Sequence, residues 1–236
     1  MIVYLYQNLE ENMSSLVLVR HGKSLWNLEN RFTGWTDVSL SKEGEKEAKL
    51  AAKILLEKKI KIDFAYSSIF RRAFDTGKII LERSNNETVI EKDWRLNERH
   101  YGNLQGLNKA ETASRYGNDQ LLKWRRSFKT KPPELNDKDF KLQFDNPLFK
   151  DIPKENISRG ESLEDTVIRV KQFYNQIIIP ILDSQNNILI AAHGNSIRAL
   201  TKIIENLSEK SVEKVEIQTG IPLIYQYKNQ NFIKEK

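Results

Sequence analysis

Three histidines are the residues of this chain best suited to chemistry near neutral pH, and each has a distinctive setting: Arg20-His21-Gly22, Glu98-Arg99-His100-Tyr101-Gly102 and His193-Gly194-Asn195. An imidazole can attack phosphorus as a nucleophile and split one transfer into two steps, and cations around it would stabilise the oxygens of a loose transition state. Arg20 adjoins His21, and the basic pairs Arg71-Arg72 and Arg125-Arg126 lie elsewhere. A strand-end histidine could instead be structural, and a histidine pair could bind a metal. The neighbouring cations decide against a metal: they repel a divalent ion but suit a phosphate, which arginine grips bidentately. Each transfer step also needs a proton donor for the departing oxygen. Glu98 is the candidate, because a carboxyl held near phosphate oxyanions has its pKa raised; a salt bridge to Arg99 is its structural alternative.

Two of these histidines follow apolar runs that read as strands buried on both faces. Leu16-Val-Leu-Val precedes His21, Ile188-Leu-Ile-Ala-Ala precedes His193, and Phe64-Ala-Tyr is of the same kind. Strands of this type belong to parallel sheets, whose carboxyl ends line the ligand crevice, so His21 and His193 are expected to meet there. Helical patterns lie between. After Ser41, a plausible N-cap, Ala48, Ala51, Ala52, Leu55 and Leu56 form one apolar stripe. Ser162 and Asp165 have capping-box spacing, and Leu163, Val167, Val170, Tyr174 and Ile177 continue one face towards Pro180. Ile197, Leu200, Ile204 and Leu207 mark a third helix directly after the Ile188–Ala192 run. The expected class is α/β, a mostly parallel central sheet with helices on both faces.

A segment at about residues 118–157 breaks the rhythm with four of the six prolines, Pro132, Pro133, Pro147 and Pro153. Trp124, Phe128, Phe140, Phe144 and Phe149 give it apolar anchors, so it reads as an ordered lid-like insertion rather than a linker. Residues 14–236 are expected to form one domain. Residues 1–13 read as an N-terminal extension, a loose tail or an artefact with Met13 as an alternative start.

With 236 residues, 39% hydrophobic and 30% charged, the chain can bury a sizeable core and is not broadly disordered. Its net charge of +6 would permit nucleic acid, headgroups or anionic metabolites as partners, but much of the lysine is interleaved with glutamate over residues 41–61, as on a solvated helix face. Neither nucleic acid nor a membrane is expected as a partner, since no basic patch is evident and no apolar run is long enough to span a bilayer. The absence of cysteine excludes disulfides and thiolate catalysis and is compatible with the cytoplasm.

Leu16-Val-Leu-Val-Arg20-His21-Gly22 with Ser24-Leu-Trp26-Asn27, then Asn30-Arg31-Phe32-Thr33-Gly34-Trp35, resembles the histidine phosphatase superfamily, specifically the cofactor-dependent phosphoglycerate mutases. The likeness continues through Ser67-Ser68, Arg71-Arg72-Ala73, Leu96 to Lys109, Trp124-Arg125-Arg126, Pro132-Pro133, Glu161-Ser162-Leu163 and Ala191 to Ser196. It implies interconversion of 3-phosphoglycerate and 2-phosphoglycerate in glycolysis and gluconeogenesis. By this likeness His21 would carry the phosphoryl group, primed by 2,3-bisphosphoglycerate, with Glu98 as general acid and base and His193, Arg20 and Arg72 completing the phosphate pocket. Asn27, Thr33, Gly34, Tyr101, Lys109, Arg125, Arg126 and Asn195 would hold the rest of the substrate. No metal is implied; small phosphorylated metabolites are the partners, and bacterial relatives imply a homodimer.

Two features depart from the mutase pattern. Lys23 stands where glutamate or glutamine is usual, and the tail after Tyr227 is short, which would admit water and raise phosphatase leakage. A hydrolase of phosphorylated small molecules is the enzymatic alternative, and bisphosphoglycerate mutases and fructose bisphosphatases share the pocket. A binding module without catalysis is disfavoured, because His21, Glu98 and His193 are all present.

Overall fold

The computed structural model describes residues 13–235, so apart from Met13 the expected N-terminal extension lies outside them. Its elements in chain order begin with β1 (Ser14–Arg20), α1 (Leu25–Leu28), α2 (Lys42–Glu57), β2 (Phe64–Ser67), α3 (Arg71–Arg83) and β3 (Ile90–Lys92). The middle of the chain is helical: α4 (Lys109–Tyr116), α5 (Asn118–Arg126), α6 (Asp137–Phe144), α7 (Leu163–Phe173) and α8 (Ile179–Asp183). Last come β4 (Ile188–Ala192), α9 (Gly194–Ile204), α10 (Glu209–Val212), β5 (Pro222–Lys228) and β6 (Asn231–Lys234).

The six strands form one sheet in the order β3-β2-β4-β1-β5-β6. β1, β2, β3 and β4 run parallel to their neighbours among themselves, whereas β5 pairs antiparallel with both β1 and β6. This is the expected α/β fold with a mostly parallel sheet. Alternation along the buried strands separates the two faces. Leu16, Leu18, Ile188 and Ile190 pack against Val170, Phe173, Leu182, Ile197 and Leu200 of α7, α8 and α9. Val17, Val19 and Leu189 point the other way, onto Ala51, Ala52, Leu55, Ile80 and Leu81 of α2 and α3. Burying each such Val, Leu or Ile contributes about 1.5–3 kcal/mol, so the central strands are the most firmly fixed part of the molecule.

Ser41 caps α2, its hydroxyl accepting from the Gly44 N–H, and Ser162 and Asp165 close a capping box at α7. Three boundaries differ from the sequence expectation. Leu56 is 46% exposed, because it lies one residue, about 100° round the helix, past Leu55, which keeps the stripe's place against the sheet. The α7 face does not stop at Pro180: a π-helical turn, Tyr174–Ile178, leads into α8, which contains Pro180 near its start. There the missing N–H and the ring are tolerated because the helical ladder is already shifted. α9 ends at Ile204, and Leu207 lies beyond it against Phe128, Leu163 and Val212.

Segment 118–157 is held down by its aromatic residues. Phe149, Ile152 and Ile157 pack with Trp35 and Phe70, joined by Phe140 and Phe144, while Trp124 packs with Phe32 and Leu104. His100 ties it to the body. Its Nδ1 accepts from the Gly102 N–H at 2.9 Å, so Nε2 donates to the Gln143 carbonyl oxygen at 2.5 Å.

Candidate active site

The β1/β4 ladder sets the geometry. Arg20 lies opposite Ala192, and the His21 N–H donates to the Ala192 carbonyl at 2.9 Å, so His21 and His193 are the next residues past the same rung. Their ring centroids are 4.9 Å apart at 65°. The His21 Nδ1 donates to its neighbouring Gly22 carbonyl at 2.7 Å, which leaves the Nε2 lone pair as the nucleophilic position. Burial, reinforced by the charges of Arg72 and Arg20, pushes the His21 pKa well below its ordinary value, although the Gly22 bond acts in the opposite sense. A neutral imidazole follows, as a nucleophile requires.

His193 is wholly buried, and its pKa too is pushed well down, by burial first and then by Arg72 and His21. Its Nε2 lies 2.7 Å from the Ser68 hydroxyl, whose oxygen already accepts from the Phe70 N–H. Nε2 is the one acceptor within reach of the Ser68 hydroxyl proton among the described residues, so the O–H donates to it and the His193 proton sits on Nδ1, an atom with no protein partner. An imidazole N–H is thus held ready beside His21.

The guanidiniums are placed by backbone carbonyls. Arg72, fully buried at the start of α3, donates to Thr36 O and Gly34 O at 2.8 Å each, and burial lowers its pKa to about 10. The Gly34 carbonyl is aimed by a positive φ of 53°, and a Cβ there would lie 2.1 Å from Gln105 Oε1, so the turn requires glycine. Arg20 donates through Nη1 to Ile217 O at 2.7 Å. The Arg20 Nε, the Arg72 Nε, the Thr33 Oγ1 and the His193 Nδ1 are all buried without a hydrogen-bond partner. Each such orphan costs about 1–3 kcal/mol. Gathered round His21, these donors fit the oxygens of a phosphoryl group.

Glu98 sits at the other wall. Its Oε1 accepts from the backbone N–H of Arg99 at 2.9 Å and of Asn195, in the first turn of α9, at 3.0 Å. The Arg99 side chain turns away to Trp124 O and Tyr101, so the alternative salt bridge does not form. The Glu98 carbonyl is fixed by the Trp35 indole N–H at 2.7 Å and the Arg169 guanidinium at 3.0 Å. Arg169 is itself forked onto Glu161 in a buried ion pair.

One cavity is lined by Arg20, His21, Asn27, Thr33, Gly34, Arg72, Glu98, Tyr101, Lys109, Arg125, Arg126 and Asn195, while His193 stands behind His21. Twelve of the thirteen expected site residues thus line this cavity and the thirteenth, His193, is in ring contact with one of them, whereas His100, the other histidine singled out from the sequence, is not among the lining residues. Lys109 donates to Arg31 O at 2.7 Å, and burial, then Arg125 and Arg20, lowers its pKa to about 8. Asn195 donates to the Tyr101 hydroxyl at 3.1 Å. Arg31, Phe32, Gly194, Arg198 and Glu216 also line the cavity and were not anticipated. Arg198 could have been: it lies three residues after Asn195 on the same helix face and bonds its Oδ1 at 2.5 Å. Glu216 carries no such local signal. Arg71 and Lys23 are not among the lining residues. Arg71 pairs with Asp37, and Lys23 leans on Glu43 and Glu47 of α2. Among the described residues no cluster of His, Asp and Glu is arranged to hold a metal ion, and no helix is long and apolar enough to cross a membrane.

Comparison with solved structures gives the same overall architecture. The mycobacterial glucosyl-3-phosphoglycerate phosphatase complexed with VO3 is 24% identical with a TM-score of 0.71, covering 94% of this chain and 97% of that one. Its native form is 25% identical with a TM-score of 0.67, over 91% and 89%. Phosphoglycerate mutase from Bacillus anthracis is 21% identical with a TM-score of 0.68, over 96% and 93%. The family model for the histidine phosphatase superfamily, branch 1, matches residues 16–141 and 137–235, and the chain belongs to that superfamily.

Proposed function

We propose that this chain is a 2,3-bisphosphoglycerate-dependent phosphoglycerate mutase, an intramolecular phosphotransferase acting through phosphorylated His21. The observation that carries this reading is the second set of cations. Beyond Arg20 and Arg72, the same cavity presents Lys109, Arg125 and Arg126 to the far end of a ligand, as a phosphate ester with a further anionic group requires.

With His21 already phosphorylated from the bisphosphate, the free hydroxyl of the monophosphate attacks phosphorus and the N–P bond breaks, while Glu98 takes the hydroxyl proton. The His21 Nε2 then attacks the phosphorus of the other ester, and that P–O bond breaks as the N–P bond forms again. Glu98 returns its proton to the departing oxygen, which releases the isomeric monophosphate and restores phosphorylated His21. Arg20, Arg72 and the His193 Nδ1–H would hold the transferring oxygens. 2,3-Bisphosphoglycerate would supply the first phosphoryl group, held by the same residues. Segment 118–157, which carries Arg125 and Arg126, would shield the phosphohistidine from water. By the same resemblance the enzyme works as a cytoplasmic homodimer on small phosphorylated metabolites.

The likeness to a glucosyl-3-phosphoglycerate phosphatase supports a second reading, a hydrolase in which water replaces the attacking hydroxyl. One assay separates them: 3-phosphoglycerate is supplied with and without catalytic 2,3-bisphosphoglycerate, and 2-phosphoglycerate and free phosphate are followed separately. Isomerisation stimulated by the bisphosphate is expected. Free phosphate alone would establish the hydrolase, and neither product would refute both.

A further inference from the structure

The loop between α10 and β5 runs along the cavity wall and is gripped by three of its arginines. Arg20 donates to Ile217 O at 2.7 Å, Arg198 Nε to Val215 O at 3.0 Å, and Arg126 Nη1 to Val215 O at 3.4 Å. Between those two carbonyls the loop presents a carboxylate: Glu216 Oε1 lies 2.6 Å from Arg126 Nη2, and Glu216 lines the cavity. The Arg125 side chain, by contrast, has no hydrogen-bond or ion-pair partner among the described residues. The two neighbouring arginines of α5 are therefore unequal. One is free to meet a ligand anion and the other already holds an anion supplied by the chain.

We propose that Glu216 is a specificity-determining residue: its carboxylate occupies Arg126 and opposes the distal anionic group of a doubly anionic ligand, so that it lowers the preference for such ligands over a single phosphate. This rests on the anion-pocket reading given above. Glu216 is ionised when it does so, because the Arg126 bond and charge, with Arg198 and Arg125, hold its carboxyl below the ordinary value although burial works the other way. A ligand whose second anion approaches Arg126 must displace this carboxylate or remain beside it, and either costs binding free energy. A ligand that ends at the phosphoryl group around His21 meets neither cost. The Glu216 side chain is 72% exposed, so solvent screens the effect.

The test is Glu216→Gln in the full chain, with binding of 2,3-bisphosphoglycerate and of orthovanadate measured side by side by calorimetry. The expected result is that 2,3-bisphosphoglycerate binds about two- to fivefold more tightly to the variant, the modest gain appropriate to a screened charge, while vanadate affinity changes by less than about 1.5-fold. Equal shifts for both ligands, or no shift for either, would overturn the proposal while leaving the anion pocket intact. If the unaltered protein bound neither ligand, the pocket reading would fail and Glu216 with it. Glu216→Asp keeps the charge on a shorter arm and should fall between the two.

Discussion

Replacing Glu161 by glutamine should destabilise the protein severely and slow catalysis, although Glu161 touches no part of the cavity. Glu161 and Arg169 are buried, with side chains only 7% and 6% exposed. The Glu161 oxygens accept Arg169 Nε at 2.8 Å, Arg169 Nη2 at 2.9 Å and the His100 N–H at 2.8 Å. Glutamine keeps one acceptor, turns the other into a donor facing a donor, and leaves the guanidinium uncompensated. Breaking a buried pair in this way costs about 3–5 kcal/mol, against a total stability on the order of 5–15 kcal/mol. At about 2–4 °C per kcal/mol for a chain of this size, the melting temperature should fall by roughly 6–20 °C. Arg169 also donates to the carbonyls of Arg95 and Glu98, so Glu98 should lose its placement and kcat should fall more than KM rises. Urea unfolding of both single variants and of Glu161→Gln/Arg169→Met provides the check. The double variant should cost at least about 2 kcal/mol less than the sum of the singles. Additive losses, or a loss under about 1 kcal/mol for Glu161→Gln, would refute the argument that a buried charge is left unpaired.

Three further outcomes are expected. His21→Ala should abolish acid-labile labelling by a radioactive phosphoryl donor, and retained labelling would remove His21 as the nucleophile. Lys109, with its pKa lowered to about 8, loses its charge as pH rises through that value, so KM for an anionic substrate should climb between pH 7 and 9; Lys109→Arg should flatten the rise. His21, His100 and His193 all have folded-state pKa values below the ordinary 6.5, the first and last by a wide margin. Stability should therefore be level above that pH and fall below it, where the unfolded chain takes up protons that the folded chain refuses; urea unfolding from pH 7.5 to 5 measures this.

The parts of the fold that announce themselves in the sequence are those where local and tertiary demands agree. β4 is apolar at every position and β1 is apolar from Leu16 to Val19 because both faces are covered, and Ser41 and Ser162 cap helices with bonds made within four residues. β5 and β6 are harder to see, because they lie towards an open edge. The buried Tyr225 and Tyr227 alternate in sequence with the polar Gln226 and Lys228, and β5 owes its place to antiparallel pairing with β1 across most of the chain. The site divides in the same way. Residues beside strand ends or in dense motifs, such as His21, Glu98 and His193, could be found by type and position. Ser68 and Glu216 act through partners 125 and 90 residues distant, a relation that no window along the chain contains.

The in-register pairing of β1 with β4 has a consequence for what could change in this protein over time. Neighbouring strands in any sheet stand about 4.7–4.9 Å apart, so the separation of the two backbones that carry the imidazoles is inherited from the pleated lattice, and the bonds to the Gly22 carbonyl and Ser68 need only orient the rings. Insertions, deletions or wholesale replacement of the segments that bear Lys109, Arg125 and Glu216 leave that ruler untouched. Substrate choice can drift while the reacting pair stays calibrated, because the two are written in different parts of the architecture.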